Sequence, residues 1–458
     1  MKKLFFLSVV YLLLLISCTQ DNKRLSGNPS EVLDFETYNK LQQQYKTIKK
    51  FQEGTAVVKK EKYGLIDGDG REILPCEYDT IHDLRKNFRI IVKDSLFGAT
   101  NIDGEIIKQC IYSGAHNNSF NYIALKLNDK WGFADMEGKD ITQYKYEEIW
   151  SYDDTSFVAK YDGYYGVSDF QQNTLIPFKY DRIYYKDSNE SNPVSVVKSG
   201  EFYGLYNSRN QLVAECEYDE FFPDTSRYVT LSKGESRDYK STRKGLIDAE
   251  TGKIMIPFDY LDMGEYSEGL VAAKNLDGNC GYLDLNGNVV VPFIYKQAGD
   301  FSEGLAAVYK QSGEFMNTVG FGRVEKLKCG YIDKKGNVII PFKFQQCLSV
   351  CNSEFHDGLA VQGYGRDNLF VQKYGYINKQ GEWVVKPKYD EAAEFKNGVA
   401  EVVIQEKYGY INTKGDLIIP CNYDKYGGYF VNDSTIRMEK DGKPYYFNLQ
   451  GQPVLEPD

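Results

Sequence analysis

The architecture of this chain is decided by the stretch Tyr63-Gly64-Leu65-Ile66-Asp67, which closes three residues later at Gly70. The same order of an aromatic residue, a glycine, an apolar run, Asp or Asn and a closing glycine recurs along almost the whole sequence. The first four anchor glycines are 34 residues apart, and the larger gaps that follow indicate insertions into a 34-residue unit. The ten anchors are Gly64, Gly98, Gly132, Gly166, Gly204, Gly245, Gly281, Gly330, Gly375 and Gly409, and a degenerate eleventh copy carries Tyr445 in their place.

Each unit contains three short stretches that are typical of β-strands. One copy shows them as Gly304–Val308, Gly330–Asp333 and Asn337–Pro341. Runs of this length, rich in Val, Ile and Tyr and bounded by Gly, Pro and Asn or Asp, indicate strands. No 3.6-residue apolar period persists across a unit, so the pattern excludes helices from the repeat body.

The second and third strands are joined by Asp/Asn-x-x-Gly, as in Asp333 to Gly336. Asp or Asn at the start of such a turn accepts backbone N–H bonds, and glycine takes the left-handed position at its end. The alternative interpretation is a calcium loop, but the segment lacks the density of acidic residues that calcium loops need. We therefore expect a hairpin turn.

Three strands in 34 residues cannot bury a face alone, so each unit must stack on its neighbours. About eleven units with too few residues for four strands each favour an all-β tandem array of three-stranded hairpin or meander repeats. We expect this array to be open and curved or superhelical, and a propeller-like closure is the alternative.

Several other columns keep step with the anchor glycine. A large aromatic residue usually precedes it, and a Phe-x-x-Gly-Leu/Val-Ala segment, such as Phe301–Ala306, runs between copies. These columns resemble the WG-repeat (KWG) family over roughly residues 45 to 458. The resemblance implies a β-rich repeat structure whose biochemical role is generally unassigned.

The N-terminus has the features of an export signal. Met1-Lys2-Lys3 precedes the apolar stretch Leu4 to Ile16 and then Ser17-Cys18. The alternative, a transmembrane anchor, needs about 20 apolar residues. The segment also resembles the bacterial lipobox, which implies that Cys18 is lipidated, and Thr19 after it implies the outer membrane. We expect the chain to be lipid-anchored in that membrane, with a periplasmic and a surface-exposed orientation as the two alternatives.

The predicted organisation has four parts. Residues 1–17 form the signal peptide, 18–29 the lipidated cysteine and tether, 30–50 a helical cap and 51–458 the β-repeat array. In the cap, Tyr38, Leu41, Tyr45 and Ile48 fall at helical spacing with Ser30 as the capping residue.

The net charge of −10 argues against nucleic acid as a partner, because such proteins carry a basic patch. It argues equally against an electrostatic grip on anionic lipid. The charges are interspersed along the chain, as expected for a solvated surface.

The nine cysteines, in an exported protein, suggest disulfides, but their positions favour core packing. Cys76, Cys110, Cys216 and Cys421 each lie twelve residues after an anchor glycine, where other copies carry Phe178, Phe293 and Phe342. A column that alternates Cys with Phe predicts a buried apolar position. Cys280 and Cys329 replace aromatic residues and are also expected in the core.

Cys347 and Cys351 fall outside the columns. With His356 they offer three metal ligands, and the alternative is a local disulfide. No second paired motif completes a zinc site, so we expect no metal.

The sequence also carries no nucleophile elbow, phosphate-binding glycine loop or His-Glu-x-x-His motif. Most Asp and Glu recur in repeat columns, which favours structural roles over catalysis. We therefore expect a non-enzyme without a cofactor.

Function is expected where the chain departs from the repeat. Three insertions lengthen the same hairpin link, and insertions in repeat proteins often form the binding face. Their candidate binding residues are Phe315, Met316, Phe321, Tyr364, Arg366 and Phe370.

The sequence thus favours an envelope scaffold for protein partners. One alternative is a glycan-binding module that uses aromatic residues outside the columns: Tyr161, Tyr164, Tyr184, Tyr185, Phe221 and Phe222. Of these, Tyr184, Tyr185, Phe221 and Phe222 are the candidate glycan contacts. A further alternative is a hydrolase with its site in the insert loops.

Overall fold

A computed structural model describes residues 26–117, 122–185, 194–222, 227–234, 241–318, 322–345, 354–364, 373–424 and 429–456. The chain forms two compact units, Met1–Tyr185 and Lys186–Asp458. Both units are built from small antiparallel sheets that follow one another along the chain.

The first unit begins with helix Pro29–Val32 and helix Phe35–Gln44. Asp34 caps the longer helix by accepting the Thr37 N–H at 2.9 Å, so the prediction of Ser30 as the cap was wrong for this helix. The helices and the residues after them pack on one face of the first sheet, through Leu33, Leu41, Tyr45 and Phe51 against Ala56, Val58 and Ile66. The predicted N-terminal helix is therefore confirmed, and it covers that face.

The strands of the first unit form four sheets, which we number along the chain. Sheet 1 contains β1 (Thr47–Ile48), β2 (Thr55–Lys59), β3 (Tyr63–Asp67) and β4 (Glu72–Tyr78). Sheet 2 contains β5 (Thr80–Ile81), β6 (Phe88–Lys93), β7 (Leu96–Asn101) and β8 (Ile106–Tyr112). Sheet 3 contains β9 (Gly114–Asn117), β10 (Ile123–Leu127) and β11 (Lys130–Ala134). Sheet 4 contains β12 (Glu148–Ser151), β13 (Ser156–Tyr161), β14 (Tyr164–Asp169) and β15 (Thr174–Tyr180), and β16 (Arg182–Tyr185) ends the unit.

The second unit continues with sheets 5 to 11. Sheet 5 has β17 (Ser195–Ser199), β18 (Phe202–Tyr206) and β19 (Leu212–Tyr218); sheet 6 has β20 (Glu220–Phe222), β21 (Tyr228–Lys233), β22 (Arg243–Asp248) and β23 (Ile254–Tyr260). Sheet 7 has β24 (Asp262–Ser267), β25 (Leu270–Lys274), β26 (Cys280–Leu283) and β27 (Val289–Tyr295); sheet 8 has β28 (Gln297–Ala298), β29 (Leu305–Thr318), β30 (Gly322–Asp333) and β31 (Val338–Gln345). Sheet 9 has β32 (Leu359–Tyr364), β33 (Lys373–Asn378) and β34 (Trp383–Tyr389). Sheet 10 has β35 (Glu391–Ala392), β36 (Val399–Ile404), β37 (Lys407–Asn412) and β38 (Leu417–Tyr423); sheet 11 has β39 (Tyr429–Asn432), β40 (Thr435–Lys440), β41 (Lys443–Asn448) and β42 (Pro453–Val454).

The prediction of an all-β tandem array is confirmed, and most sheets add a strand to the predicted three. The extra strand precedes the others and is often only two residues long, as β1 is. It pairs with β2 through Thr47 with Lys59 and Ile48 with Val58. A strand this short carries no visible alternation of apolar and polar residues, so the sequence pattern does not reveal it.

The anchor glycine is required by a bulge in the last strand. Tyr63 pairs with Tyr78 and Leu65 with Leu74, so the intervening residues of β4 arch over Gly64. A Cβ atom on Gly64 would lie 2.6 Å from the Leu74 carbonyl oxygen and 2.8 Å from Cys76 Sγ. The glycine column and the Cys/Phe column of the sequence therefore meet in space.

The Cys/Phe column is only half-buried, which corrects the prediction of a buried position. Cys76, Cys110, Cys216 and Cys421 are of intermediate exposure, whereas Cys280 and Cys329 are buried as expected. The difference arises because the column lies on the bulge of an edge strand. One side of the thiol packs against a core cluster while the other faces outward. Cys347 and Cys351 lie outside the described residues.

Consecutive sheets bury their faces against each other. In the first unit, Val57, Leu65 and Leu74 of sheet 1 share a cluster with Ile81 and Ile91 of sheet 2. In the second unit, similar clusters join sheets 7 and 8, 8 and 9, and 9 and 10. Stability by stacking on a neighbour, as expected for small repeats, is thus observed within each unit.

The predicted turn is present, and the segment between copies forms a second turn. Asp333 Oδ1 accepts the backbone N–H groups of Lys335 and Asn337 at 2.9 Å each, and Gly336 has φ +83°. This confirms the turn interpretation of Asp/Asn-x-x-Gly. The Phe-x-x-Gly segment is a two-residue hairpin turn with Glu303 at φ +52° and Gly304 at φ +85°, which is the type I′ conformation.

Candidate functional site

The three insertions occupy equivalent places in the second unit. Each lengthens the link that precedes the strand with the anchor glycine, namely β21–β22 in sheet 6, β29–β30 in sheet 8 and β32–β33 in sheet 9. Because these sheets share one strand order, the insertions leave equivalent ends of their sheets. Parts of each insertion fall outside the described residues.

The insertion of sheet 8, residues 311–327, which we call the arm, continues β29 as far as Thr318 and begins β30 at Gly322. Strands β29 and β30 have 14 and 12 residues, whereas the corresponding strands of sheet 7 have 5 and 4. The additional residues stay paired, for example Phe315 with Glu325 and Thr318 with Gly322. The register shifts between Gln311 and Phe315, and such a bulge bends the hairpin and increases its twist.

The arm extends beyond the strand that borders β29. Strand β28 pairs with β29 only at Val308 and Tyr309, so the ladder on that side ends before the arm begins. The side chain of Phe315 is 48% exposed. An extended hairpin with a backbone edge and an exposed aromatic side chain can accept a further strand.

The structure places the other predicted binding residues as follows. Tyr364, at the end of β32 in the adjacent sheet 9, is 57% exposed and pairs with Lys373. It lies at the same end of its sheet as the arm does in sheet 8. Met316 lies in β29 opposite Val324. Phe321, Arg366 and Phe370 lie outside the described residues.

The candidate glycan contacts are distributed over both units. In the second unit, Phe221 and Phe222 are half-buried. The Phe221 ring lies 5.3 Å from the Tyr203 ring, and Lys244 Nζ lies 3.9 Å from the centre of the Phe222 ring. In the first unit, half-buried Tyr184 and its neighbour Tyr185 belong to β16. Neighbouring side chains therefore contact the rings of Phe221 and Phe222.

Two further aromatic residues of the first unit are exposed side by side. Tyr161 and Tyr164 are cross-strand partners at the tip of sheet 4, with exposures of 46% and 48%. The Tyr161 ring lies 6.3 Å from Tyr146 and 6.0 Å from Phe178, which hold it in place. This pair offers two adjacent aromatic rings to solvent.

Sequence reasoning missed a column of carboxylates in the second unit. Each member directly precedes the aromatic residue of a Phe/Tyr-x-x-Gly turn in four consecutive sheets, and the members are Glu265, Asp300, Glu354 and Glu394. The signal was the repetition of an acidic residue at this one position. Asp300 Oδ2 accepts the Glu265 N–H at 3.2 Å across sheets 7 and 8.

His356 lies within this acidic column. Its Nε2 atom is 3.2 Å from a Glu394 carboxylate oxygen and 3.6 Å from one of Glu354. Burial raises the pKa of Glu354 to about 7; the carboxylates of Asp300 and Glu394 act in the same direction, and His356 opposes them. Burial also raises the pKa of Glu394. Glu354 can therefore exchange a proton near neutral pH.

Within the described segments, no group of three His, Cys, Asp or Glu side chains has a geometry that could hold a metal ion. The partners of His356 there are carboxylates of the column. Cys347 and Cys351, for which metal ligation and a local disulfide were the alternatives, lie outside those segments.

A second set of carboxylates links successive turns. Glu268 and Glu303 accept the N–H groups of Gly304 and Gly358, the turn glycines of the next sheets, at 3.0–3.2 Å. Asp357 accepts the Gly398 N–H at 2.7 Å in the same way. These residues form an inter-sheet ladder across sheets 7 to 10, so their repetition has a structural cause.

Beside the acidic column lies a cavity of about 390 Å³ between sheets 9 and 10. Its lining residues are Tyr374, Asp390, Glu391, Ala392, Ala393, Glu401 and Val403. Burial raises the pKa of Glu401, whose carboxylate accepts the Tyr410 hydroxyl at 3.3 Å. In the first unit a more open groove of about 640 Å³ carries Glu53, Glu105 and Glu137.

Across the described ranges, neither helix is long and apolar enough to cross a membrane.

Comparison with known structures finds only distant similarity among the matches described next. A eukaryotic initiation factor aligns over 70% of this chain and 92% of its own, with 9% identity and a TM-score of 0.33. The β-propeller domain of the Trilobed protease from Pyrococcus furiosus, described as having an open velcro topology, aligns over 59% and 97%, with 10% identity and a TM-score of 0.33. Dihydro-heme d1 dehydrogenase NirN aligns over 68% and 74%, with 13% identity and a TM-score of 0.28. Because these TM-scores lie below 0.5, the description of the fold rests on the chain's own sheets.

No curated protein shows significant sequence similarity to the chain. The profile of the WG containing repeat matches it in eight segments, residues 63–96, 97–131, 203–226, 245–280, 281–312, 330–361, 374–408 and 408–443. Together these segments span more than half of the 458 residues. The chain therefore belongs to the family of proteins built from WG-containing repeats.

Proposed function

We propose that this chain is a lipoprotein of the bacterial outer membrane that acts as a non-catalytic scaffold for protein partners. The observation that carries the proposal is the arm of sheet 8, whose strands continue well past those of the neighbouring sheet. A repeat unit needs only a short link at this place, as the two residues Gln405 and Glu406 in sheet 10 demonstrate. The longer hairpin therefore contributes surface beyond what the stacking of the sheets requires.

The partner we propose is a protein segment in extended conformation. Such a segment adds a strand to a sheet edge through main-chain hydrogen bonds, and side-chain pockets supply specificity. The ladder beside β29 ends at Tyr309, and Phe315 offers an exposed aromatic contact beyond it. Tyr364 at the same end of sheet 9 provides a second contact. The net charge of −10 disfavours nucleic acid as the partner.

A non-catalytic role is supported by how the acidic residues are used. Glu268, Glu303 and Asp357 accept hydrogen bonds from turn glycines of the next sheet, and Asp333 closes a turn. We therefore assign most repeated carboxylates to the construction of the array, and no cofactor is needed for the proposed role.

The test shortens the arm and leaves its sheet intact. Residues 311–327 are replaced by the dipeptide Gln-Glu, which forms the two-residue turn of sheet 10. The dipeptide then connects Lys310 to Lys328. Affinity capture from envelope extracts, with quantitative mass spectrometry, then compares the shortened and the natural chain. We expect at least one protein to be lost from the shortened chain.

A matched control separates binding from folding. Phe202, 45% exposed at the corresponding link of sheet 5, is changed to Ser. This variant should keep every partner, because it alters an exposed aromatic residue outside the arm. An unchanged set of captured proteins for the shortened chain would contradict the scaffold proposal.

The membrane part of the proposal rests on Cys18 and is tested separately. A Cys18→Ala variant should lose incorporation of radiolabelled palmitate and leave the membrane fraction. Equal labelling of the variant and the natural chain would rule out lipidation at this residue.

Glycan binding is the second candidate, favoured by the exposed pair Tyr161 and Tyr164. Adjacent aromatic rings offer faces on which sugar rings stack. A glycan array probed with the natural chain and a Tyr161→Ala/Tyr164→Ala variant decides this point. A signal that the variant loses would support sugars, and a blank array would exclude the glycans tested.

A further inference from the structure

Sheet 2 contains a buried charged residue at a position where four other sheets carry alanine. Arg89 in β6 pairs across the strands with Thr100 in β7, and both side chains are 0% exposed. The equivalent pairs of four other sheets are alanine with isoleucine: Ala56–Ile66, Ala306–Ile332, Ala360–Ile377 and Ala400–Ile411. One copy thus replaces both members of a buried apolar pair with hydrogen-bonding residues.

Among the residues described by the structure, the acceptors of the Arg89 guanidinium are neutral. Its two terminal nitrogens donate to Gln52 Oε1 at 2.9 Å and to Thr55 Oγ1 at 3.1 Å, both on the sheet 1 side. Among the residues described by the structure, Arg89 Nε and Thr100 Oγ1 have no hydrogen-bond partner. Two buried polar atoms of one cross-strand pair, on the side of sheet 2 that faces sheet 1, therefore have unused hydrogen-bonding capacity within the described residues.

The charge of Arg89 persists despite its burial. Burial lowers the pKa of Arg89 to about 10, and the carboxylate of Asp83 opposes this shift. The guanidinium is thus cationic at neutral pH. Asp83 itself forms an ion pair with Lys49 at 3.0 Å and is no partner of Arg89 within ion-pair distance.

A buried cation normally has a counter-charge, because removing an ion from water costs several kcal/mol. Arg89 Nε–H and the Thr100 hydroxyl are both donors, and they stand on one face of sheet 2. We propose that the Arg89–Thr100 pair binds a monovalent inorganic anion such as chloride between sheet 1 and sheet 2. The anion accepts these two donors and balances the buried charge.

Anion binding to the folded state alone stabilises that state by mass action. The natural chain should therefore unfold about 2–5 °C higher in sodium chloride than in sodium gluconate of equal ionic strength. The matched variant Arg89→Ala/Thr100→Ile restores the pair found in the four other sheets, and its unfolding temperature should be equal in the two salts. If the double variant does not fold, the milder variant Thr100→Val replaces it in the comparison. This variant lacks one donor, so its chloride response should be smaller than that of the natural chain.

Crystals of the natural full chain soaked in sodium bromide supply a direct readout. We expect an anomalous bromide peak within hydrogen-bond distance of Arg89 Nε. Ordered water at this place without a bromide peak would overturn the proposal. An equal chloride response in the natural chain and in the double variant would overturn it too.

Discussion

The inter-sheet ladder makes a sharp prediction at Glu303. This residue holds the left-handed position of its hairpin turn, with φ +52°. Its carboxylate accepts the Gly358 N–H at 3.0 and 3.2 Å and meets Lys379 Nζ at 3.0 Å. The same lysine donates to the Glu303 carbonyl oxygen at 2.9 Å. Glu303→Ala removes the side-chain contacts that join sheet 8 to sheet 9.

The expected loss follows from these contacts and their exposure. Hydrogen bonds to charged groups contribute about 1.5–3 kcal/mol when shielded from water. The side chains of Glu303 and Lys379 are 31% and 38% exposed, so water weakens the ion pair. We therefore expect Glu303→Ala to cost about 1–2 kcal/mol. Glu303→Gly loses the same contacts but relieves about 1 kcal/mol of left-handed strain, so it should be nearly neutral.

The assay is urea unfolding of the full chain with a matched control. Glu406 also stands at a left-handed turn position, φ +61°, and its carboxylate has no hydrogen bond or ion pair within the described parts of the chain. Glu406→Ala should therefore leave the unfolding midpoint unchanged, while Glu303→Ala lowers it. Equal midpoints for the two alanine variants, or a glycine variant less stable than the alanine variant at position 303, would refute the reasoning.

Three further predictions follow from burial and close approach. The pKa of Glu354 is about 7 in the folded chain against an ordinary 4.5, so its stabilising contribution is full below about pH 4.5 and is lost as the pH rises through 7. Urea unfolding between pH 5 and pH 8 should therefore show a smaller loss of stability for Glu354→Gln than for the natural chain, and equal pH slopes would contradict this. Gly409→Ala places a Cβ 2.5 Å from the Ile419 carbonyl oxygen, whereas Gly163→Ala meets nothing within 4 Å and faces only the strain of φ +82°. Thermal unfolding should show the larger loss for Gly409→Ala, above the roughly 1–2 kcal/mol expected at Gly163. Leu41→Ala in the N-terminal helix should cost about 2–5 kcal/mol, because Leu41 is buried against sheet 1, and an unchanged unfolding midpoint would show that the helix does not pack there.

The repeat columns predicted the sheets because each column has one physical cause. The anchor glycine, the Cys/Phe column and the proline-bearing strand all belong to a single bulge, seen at Gly64 and Cys76. The turn glycines follow from positive φ angles, as at Gly336. Such local constraints are readable from one sequence, since they recur in most copies.

Features that depend on neighbouring sheets were not readable in this way. The two-residue first strand has no pattern of its own, and the half-exposure of Cys76 follows from its edge position. The acidic column could not be interpreted from the sequence, because Glu354, Glu394 and His356 come together only when the sheets stack. The insertions were located correctly from the sequence, but the paired strands of the arm became evident only in the structure.

The claim that the arm binds a protein partner is tested most directly by site-specific photo-crosslinking in cells. A benzophenone amino acid replaces Phe315 in the arm and, in a parallel strain, Phe202 in sheet 5, two positions of similar exposure. We expect a discrete adduct of higher mass from position 315 that contains a second protein, and none from position 202. No adduct at position 315, or the same adduct from both positions, would contradict it.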